Sequence, residues 1–255
     1  MRILVIGDVV GKPGRRAVRM LAPQLRKEHH IDFIIANGEN AAGGFGITLE
    51  NMQEFLECGV DVVTTGNHVW DQKDIVQHMD GELPIVRPYN YPPGVPGRGY
   101  IQKNGVLVIN LMGRTFMADI DCPFRAADRI LADVSPKPSV VIVDFHGEAT
   151  SEKQAMGWYL DGRVSAVVGT HTHVGTVDAR VLPGGAAFVT DIGMVGPRDS
   201  VIGVDVQSVL HRFLTQMPAR FEVARGPVTF NSVLIETDDG TGRARSIQRL
   251  DRGVE

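Results

Sequence analysis

Cysteine is scarce: the 255 residues carry two, Cys58 and Cys122, in unrelated contexts with no Cys-x-x-Cys. That excludes a disulfide framework and a thiolate metal site. Positive charge is not in excess either. The formal net charge is −4 and the pI is near 6.1, so there is no global attraction to nucleic acid or to an anionic membrane. Any nucleotide would have to be held locally, by metal and a few arginines. No apolar run approaches membrane-spanning length, the first residues show no signal-peptide cleavage pattern, and neither an internal repeat nor a low-complexity tract is visible. The expectation is a cytosolic protein with no membrane partner, folded as one α/β domain over residues 1–255.

What is present is a set of apolar strands that stop on ligating side chains. The run Val164–Val168 leads into Gly169-Thr170-His171-Thr172-His173. A strand entering its C-terminal loop need not alternate strictly, so both imidazoles of such a pair can turn toward one pocket. Alone, the pair is more often two surface or core histidines. Four more strands end alike: Ile3–Gly7 on Asp8, Phe33–Gly38 on Glu39-Asn40, Val62–Gly66 on Asn67-His68, and Val140–Phe145 on His146. Turn chemistry alone often puts Asp or Asn at a strand end. Five ends carrying Asp, Glu, Asn and His, three with Gly just before the polar residue, point instead to one shared dinuclear metal site.

The organisation supports that placement. Strands at 2–7, 31–37 and 60–65 alternate with helices from Arg15 to Lys27, from Thr48 as N-cap to Glu57, and from Asp71. This is a βαβ series with a parallel sheet. The Pro- and Gly-dense stretch 87–97 is a loop, and Asn104-Gly105 turns a hairpin between Gly99–Lys103 and Val106–Leu111. A helix near 124–132, a helix capped by Ser151 and running to Leu160, and the two His-bearing strands follow. Hairpins, a helix near 205–215 and a last strand pair about Asp238–Gly242 complete the chain. The fold class is therefore α/β, with two mixed sheets packed face to face and helices outside.

Taken together, Gly7-Asp8-Val9-Val10, Gly38-Glu39-Asn40, Gly66-Asn67-His68, His146 and Gly169-Thr170-His171-Thr172-His173 resemble the motif blocks of the calcineurin-like metallophosphoesterase superfamily over nearly the whole chain. Val10 stands where that superfamily usually has a metal-binding His, and Glu39 replaces its bridging Asp. With the Asn40–Gly46 and Phe145–Lys153 runs, these departures look like the YmdB-like bacterial branch. The resemblance implies a four-layer α/β/β/α sandwich and hydrolysis of small cyclic nucleotides, the 2′,3′-cyclic type foremost. It implies one metal site of Asp8, Glu39, Asn40 and His173 and a second of Glu39, Asn67, His146 and His171, with Glu39 bridging. The ions would be two divalent transition metals, Fe or Mn ahead of Zn; an all O and N ligand set does not choose among them.

Two such ions, roughly 3.5–4 Å apart, would lower the pKa of a bridging water and allow in-line hydroxide attack on the phosphorus. By the Gly-Asn-His match, Asn67 would help hold the phosphate and His68 would protonate the departing ribose oxygen. Lesser features carry less. Gly7–Pro13 is one residue short of a P-loop and has Pro13 where Ser or Thr is required. The Gly43–Gly46 loop could cradle a phosphate through its amides, Arg87 and Arg114 could clamp one, and Glu148 or Glu152 could orient His146, although Glu152 also suits a cap after Ser151. Two rival readings stay open: a phosphomonoesterase or protein phosphatase on the same site, and a metal-containing regulatory nucleotide binder with little turnover. The expected partner is a small phosphodiester, not a long nucleic acid, with a homo-oligomer left open.

Overall fold

The computed structural model describes residues 1–136 and 138–255. Its first third alternates strand and helix: β1 (Arg2–Val9), α1 (Gly11–Glu28), β2 (Phe33–Asn37), α2 (Leu49–Glu57), β3 (Val62–Thr64), α3 (Lys73–Val76) and β4 (Ile85–Val86). Next come β5 (Tyr100–Lys103), β6 (Val106–Met112), α4 (Pro123–Asp133), β7 (Val140–His146), α5 (Thr150–Leu160) and β8 (Ala166–Thr170). The chain closes with β9 (Arg180–Val181), β10 (Ala187–Val189), β11 (Met194–Pro197), α6 (Val206–Thr215), β12 (Val228–Phe230), β13 (Ser232–Thr237), β14 (Ala244–Arg249) and β15 (Arg252–Val254).

One sheet runs β15-β12-β11-β1-β2-β3-β4, with β13 pairing β1 and β14; the other runs β5-β6-β7-β8-β10-β9. In the first, β1 to β4 and β11 are parallel neighbours; in the second, β6, β7, β8 and β10 are. Strands β5, β9, β12, β13, β14 and β15 pair antiparallel with their neighbours, so both sheets are mixed. The period-two alternation of β1 distributes its side chains between layers. Leu4 and Ile6 join Val18, Leu25 and Phe55 in a core against the helices, whereas Ile3 and Val5 join Val108, Ile142 and Val168 between the sheets. A third core, with Leu107, Val141 and Phe145, packs against Ile130 of α4 and Met156 of α5. That is the four-layer sandwich the resemblance implied. Among the described residues no helix is long and apolar enough to cross a membrane.

Several boundaries differ from the sequence reading. Helix α1 begins at Gly11, not Arg15, because Pro13 falls in the first turn, where an N–H would have no intrahelical acceptor anyway. Thr48 caps α2 as expected, in a capping box with Asn51, but the helix expected from Asp71 shrinks to the single turn of α3. Helix α5 starts at Thr150 without a side-chain cap. Glu152, read as a capping acid, instead accepts the backbone N–H groups of Arg114 and Thr115. Arg87 is buried and commits its guanidinium to the carbonyls of Pro88, Val95 and Pro96, which ties down the Pro-rich loop. Strand β11, inserted parallel to β1, had no distinct local signal.

Candidate metal centre

Parallel strands deliver their carboxyl ends to one edge, and there the two sheets are stitched by polar groups. Asn37 at the end of β2 and Thr64 at the end of β3 both donate to the Asp144 carboxylate of β7, the former at 3.3 Å. Thr65 N–H donates to Asn110 of β6 at 3.2 Å. This pins the edges on which Asp8, Glu39-Asn40, Asn67-His68, His146 and the His171/His173 loop sit. Every sequence-predicted ligand comes to this place.

The tightest group centres on His146 Nε2: Glu39 Oε1, Asn67 Oδ1 and His171 Nδ1 each lie 3.0 Å from it. Ligand atoms of Glu39, His146 and His171 all fall within 4.8 Å of one another. Beside them Asp8 Oδ1 lies 3.9 Å from His173 Nε2. Asp8 Oδ1 and Asn40 Oδ1 are buried oxygens with no hydrogen-bond partner, a costly state for a polar atom and one that a cation relieves. Asn40 is aimed by its own amide, which donates to the Gly44 carbonyl of the Gly-rich loop at 3.1 Å. Val10 is buried and packs on Gly203, where an added Cβ would lie 2.7 Å from Val10 Cγ1. It forms part of the wall of the adjoining cavity. Gly66 is required sterically, since a Cβ there would meet Glu39 Oε2 at 2.2 Å and the His146 ring at 2.3 Å. The residues present fit divalent cation binding: carboxylate, amide and imidazole donors, two of them orphaned, with no thiolate among them.

Each histidine has its far nitrogen engaged. Thr170 Oγ1 donates its one proton to Asp144 at 2.7 Å, so His146 Nδ1–H must be the donor across the 2.9 Å contact to Thr170. His171 Nε2–H points to Glu148 at 3.1 Å, and His173 Nδ1–H donates to the Ile202 carbonyl at 2.8 Å. The opposite nitrogens therefore face the site as lone-pair donors once their protons are displaced. His171 and His173 both take left-handed backbone, φ 100° and 65°, which turns both rings inward at a conformational cost. The loop is held by His171 N–H to Asp8 and Thr172 N–H to Asp191, each 3.1 Å. Asp191 is in turn clamped by buried Lys153 at 2.6 Å.

Sequence reasoning missed Asp144, Thr170 and the Lys153–Asp191 pair. Asp144 could have been found: it lies two residues before His146 on one strand and therefore on the same face. Glu148 orients His171, not His146, and Arg114 is not among the residues lining the adjoining cavity. Asn in place of Asp144 could donate to Thr170 and so reverse the relay, leaving Nε2 of His146 protonated. Asp144→Asn is expected to weaken metal binding about 10–100-fold with the fold intact, measured by metal titration; unchanged affinity would show that the relay does not set the tautomer.

The charges are arranged for cations. Burial raises the Asp8 carboxyl to about 7 despite His173 and His146. Burial would raise Glu39 too, but His146, His68 and His171 hold it down to about 2. Burial opposes charge on His146, yet Glu39, Asp8 and Asp144 keep its pKa up at about 9; burial and that neighbouring cation push His171 down to about 3. Metal must therefore displace protons from Asp8 and His146 but not from Glu39 or His171. Affinity should rise with pH up to about 9. Calorimetry in buffers of unlike ionisation enthalpy should find more protons released on metal binding near pH 6 than near pH 8, where the Asp8 carboxyl is already ionised. An affinity independent of pH would contradict these charge states.

Above the ligands lies a cavity of about 460 Å³. His68 lines it, with Nδ1 held by Asp71 at 2.8 Å and its ring edge-on to Phe45 at 5.0 Å. The 198–227 excursion between β11 and β12 supplies a mostly apolar wall, Ile202, Val209, Phe213, Phe221 and Val223, interrupted by Arg212, Gln216 and Glu222.

Comparison with known proteins places this geometry. The model of the YmdB-like protein family matches residues 4–250. A curated relative from Bacillus subtilis (strain 168), a 2′,3′-cyclic-nucleotide 2′-phosphodiesterase, is 49% identical over 98% of this chain and 96% of its own. A solved structure of a hypothetical protein from Thermus thermophilus matches with a TM-score of 0.93, 46% identity and 99% coverage of both chains. The crystal structure of a phosphatase from Mycoplasma pneumoniae also reaches a TM-score of 0.93, at 31% identity over 99% of this chain and 93% of the other.

Proposed function

We propose that this chain, which belongs to the YmdB-like family, is a two-metal phosphodiesterase that opens 2′,3′-cyclic nucleotides. The observation that carries the reading is the pair of unpartnered buried oxygens, Asp8 Oδ1 and Asn40 Oδ1, beside the Glu39–Asn67–His146–His171 cluster. Asp8, Glu39, Asn40 and His173 would hold one ion; Glu39, Asn67, His146 and His171 would hold the other, with Glu39 shared. The orphaned Oδ1 supports direct ligation by Asn40. When bound, divalent ions, Fe or Mn foremost, stabilise charge on a phosphoryl oxygen and acidify water into a nucleophile at neutral pH.

The rest is done by the chain itself. Asn67, on the loop after β3, positions the phosphate together with its ligand role. His68 has Nδ1 committed to Asp71, which leaves Nε2 to give a proton to the departing ribose oxygen. Phe45, Phe213 and Phe221 offer a stacking wall for a base, and a walled cavity suits a nucleotide better than a protein substrate, which would need an open groove. The substrate class follows that of the Bacillus subtilis relative. Turnover of 2′,3′-cyclic and 3′,5′-cyclic nucleotides and nucleoside monophosphates by Mn- or Fe-loaded protein tests the reading. The 2′,3′-cyclic compounds should have the highest kcat/KM and lose it on chelation; a preference for monoesters would replace the reading with a phosphomonoesterase.

A further inference from the structure

The segment Phe221-Glu222-Val223 is a partition with a cavity on each side. One is the metal-centre cavity; the other, of about 600 Å³, is bounded by the same three residues and by Gly43. The second is lined by four cations, Lys12, Arg16, Arg220 and Arg225, against two carboxylates, Glu222 and Glu255. Arg220 lies 3.8 Å from Glu222. Lys12, Arg16 and Arg225 make no ion pair or side-chain hydrogen bond among the described residues. Lys12 and Arg16 stand four residues apart on α1, a spacing at which like charges repel. They also sit in the first turns of α1, whose first turn has no acidic side chain and whose amide dipoles add positive potential. Three unpaired cations converging on a concavity next to a phosphate-processing centre form a place for a second anion.

The placement identifies that anion. A 2′,3′-cyclic mononucleotide carries one phosphate, and the metal centre takes it. A ligand long enough to cross the partition from that point with further negative charge is a nucleotide chain continuing from the 5′ side. We propose that the second cavity holds the 5′-side phosphate of an RNA 3′ end, so that the preferred substrate is a short oligoribonucleotide terminating in a 2′,3′-cyclic phosphate. This rests on the phosphodiesterase reading above. The reaction is the same: water adds to phosphorus, one ring P–O bond breaks, its oxygen leaves as a ribose hydroxyl with a proton, and the other oxygen keeps a terminal phosphomonoester. A net charge of −4 does not oppose this, because the attraction is confined to one cavity and a few phosphates.

The test compares adenosine 2′,3′-cyclic phosphate with adenylyl di- and trinucleotides ending in the same group, on metal-loaded full-length protein and on the Lys12→Ala/Arg225→Ala variant. Both residues are exposed, and thermal melting checks that the variant is folded. The wild type should prefer the oligonucleotides by about tenfold or more in kcat/KM, the scale of a charge-assisted hydrogen bond. That advantage should shrink with added salt, as phosphate contacts do, and vanish in the variant, while mononucleotide turnover serves as the internal control. Equal kcat/KM for mono- and trinucleotide, or an advantage that survives in the variant, would overturn the proposal and leave the phosphodiesterase reading standing. Binding of inorganic pyrophosphate with no length preference would make the cavity a free-anion site and also overturn it. No turnover of any cyclic phosphate would overturn the reading beneath it.

Discussion

Glu39→Gln is expected to empty both metal sites together and to lower turnover of a 2′,3′-cyclic nucleotide at least about 10²–10³-fold, the scale of losing one preorganised electrostatic group. Glu39 is buried at the meeting point of the two proposed sites, 3.0 Å from His146 Nε2, and its carboxyl is held down to about 2, so it is anionic at neutral pH. The amide keeps the shape, removes the charge, and turns an NH₂ group toward nitrogens that must act as donors to metal. Metal content and kcat should fall in parallel. Loss of one ion with the other retained at full occupancy would mean that Glu39 serves a single site.

His68→Ala should cost about 10²–10⁴-fold in kcat on a 2′,3′-cyclic nucleotide, the usual worth of general acid catalysis, with both metals retained. Protonation matters only where the leaving oxygen is a poor leaving group. Ribose alkoxide is one, and nitrophenolate is not, so the same variant should lose far less on bis(nitrophenyl) phosphate. His68 is placed for this: it lines the cavity, Asp71 holds its Nδ1, and no nitrogen of its ring contacts a proposed ligand in the way the His146 and His171 nitrogens contact each other. An equal loss on both substrates, or loss of metal, would make the ring a support for Glu39, whose carboxyl it helps to hold down.

The residues that meet at the sheet edge were legible because a parallel strand announces its own end: an apolar run, a glycine, then a polar side chain, as at Gly66-Asn67. Local pattern also sufficed for the layers, since β1 alternates between two cores. What escaped depends on neighbours that are distant in sequence. Strand β11 takes its place only by pairing with β1, and the wall formed by Ile202, Phe213 and Phe221 belongs to an excursion with no catalytic motif. Arg87 looked like a phosphate clamp because it follows a strand; burial and three carbonyl acceptors within its own loop decide otherwise. Asp144 was in view two residues before His146, but its task emerges only through Thr170, which arrives on the next strand.

Anomalous-scattering crystallography of the Mn- or Fe-loaded protein reads the number and the ligands of the ions at once. Two peaks are expected, one coordinated by Asp8, Asn40 and His173 and one by Asn67, His146 and His171, with Glu39 touching both. A single peak at the His146 cluster, with Asp8 Oδ1 and Asn40 Oδ1 still unpartnered, would contradict the two-metal centre.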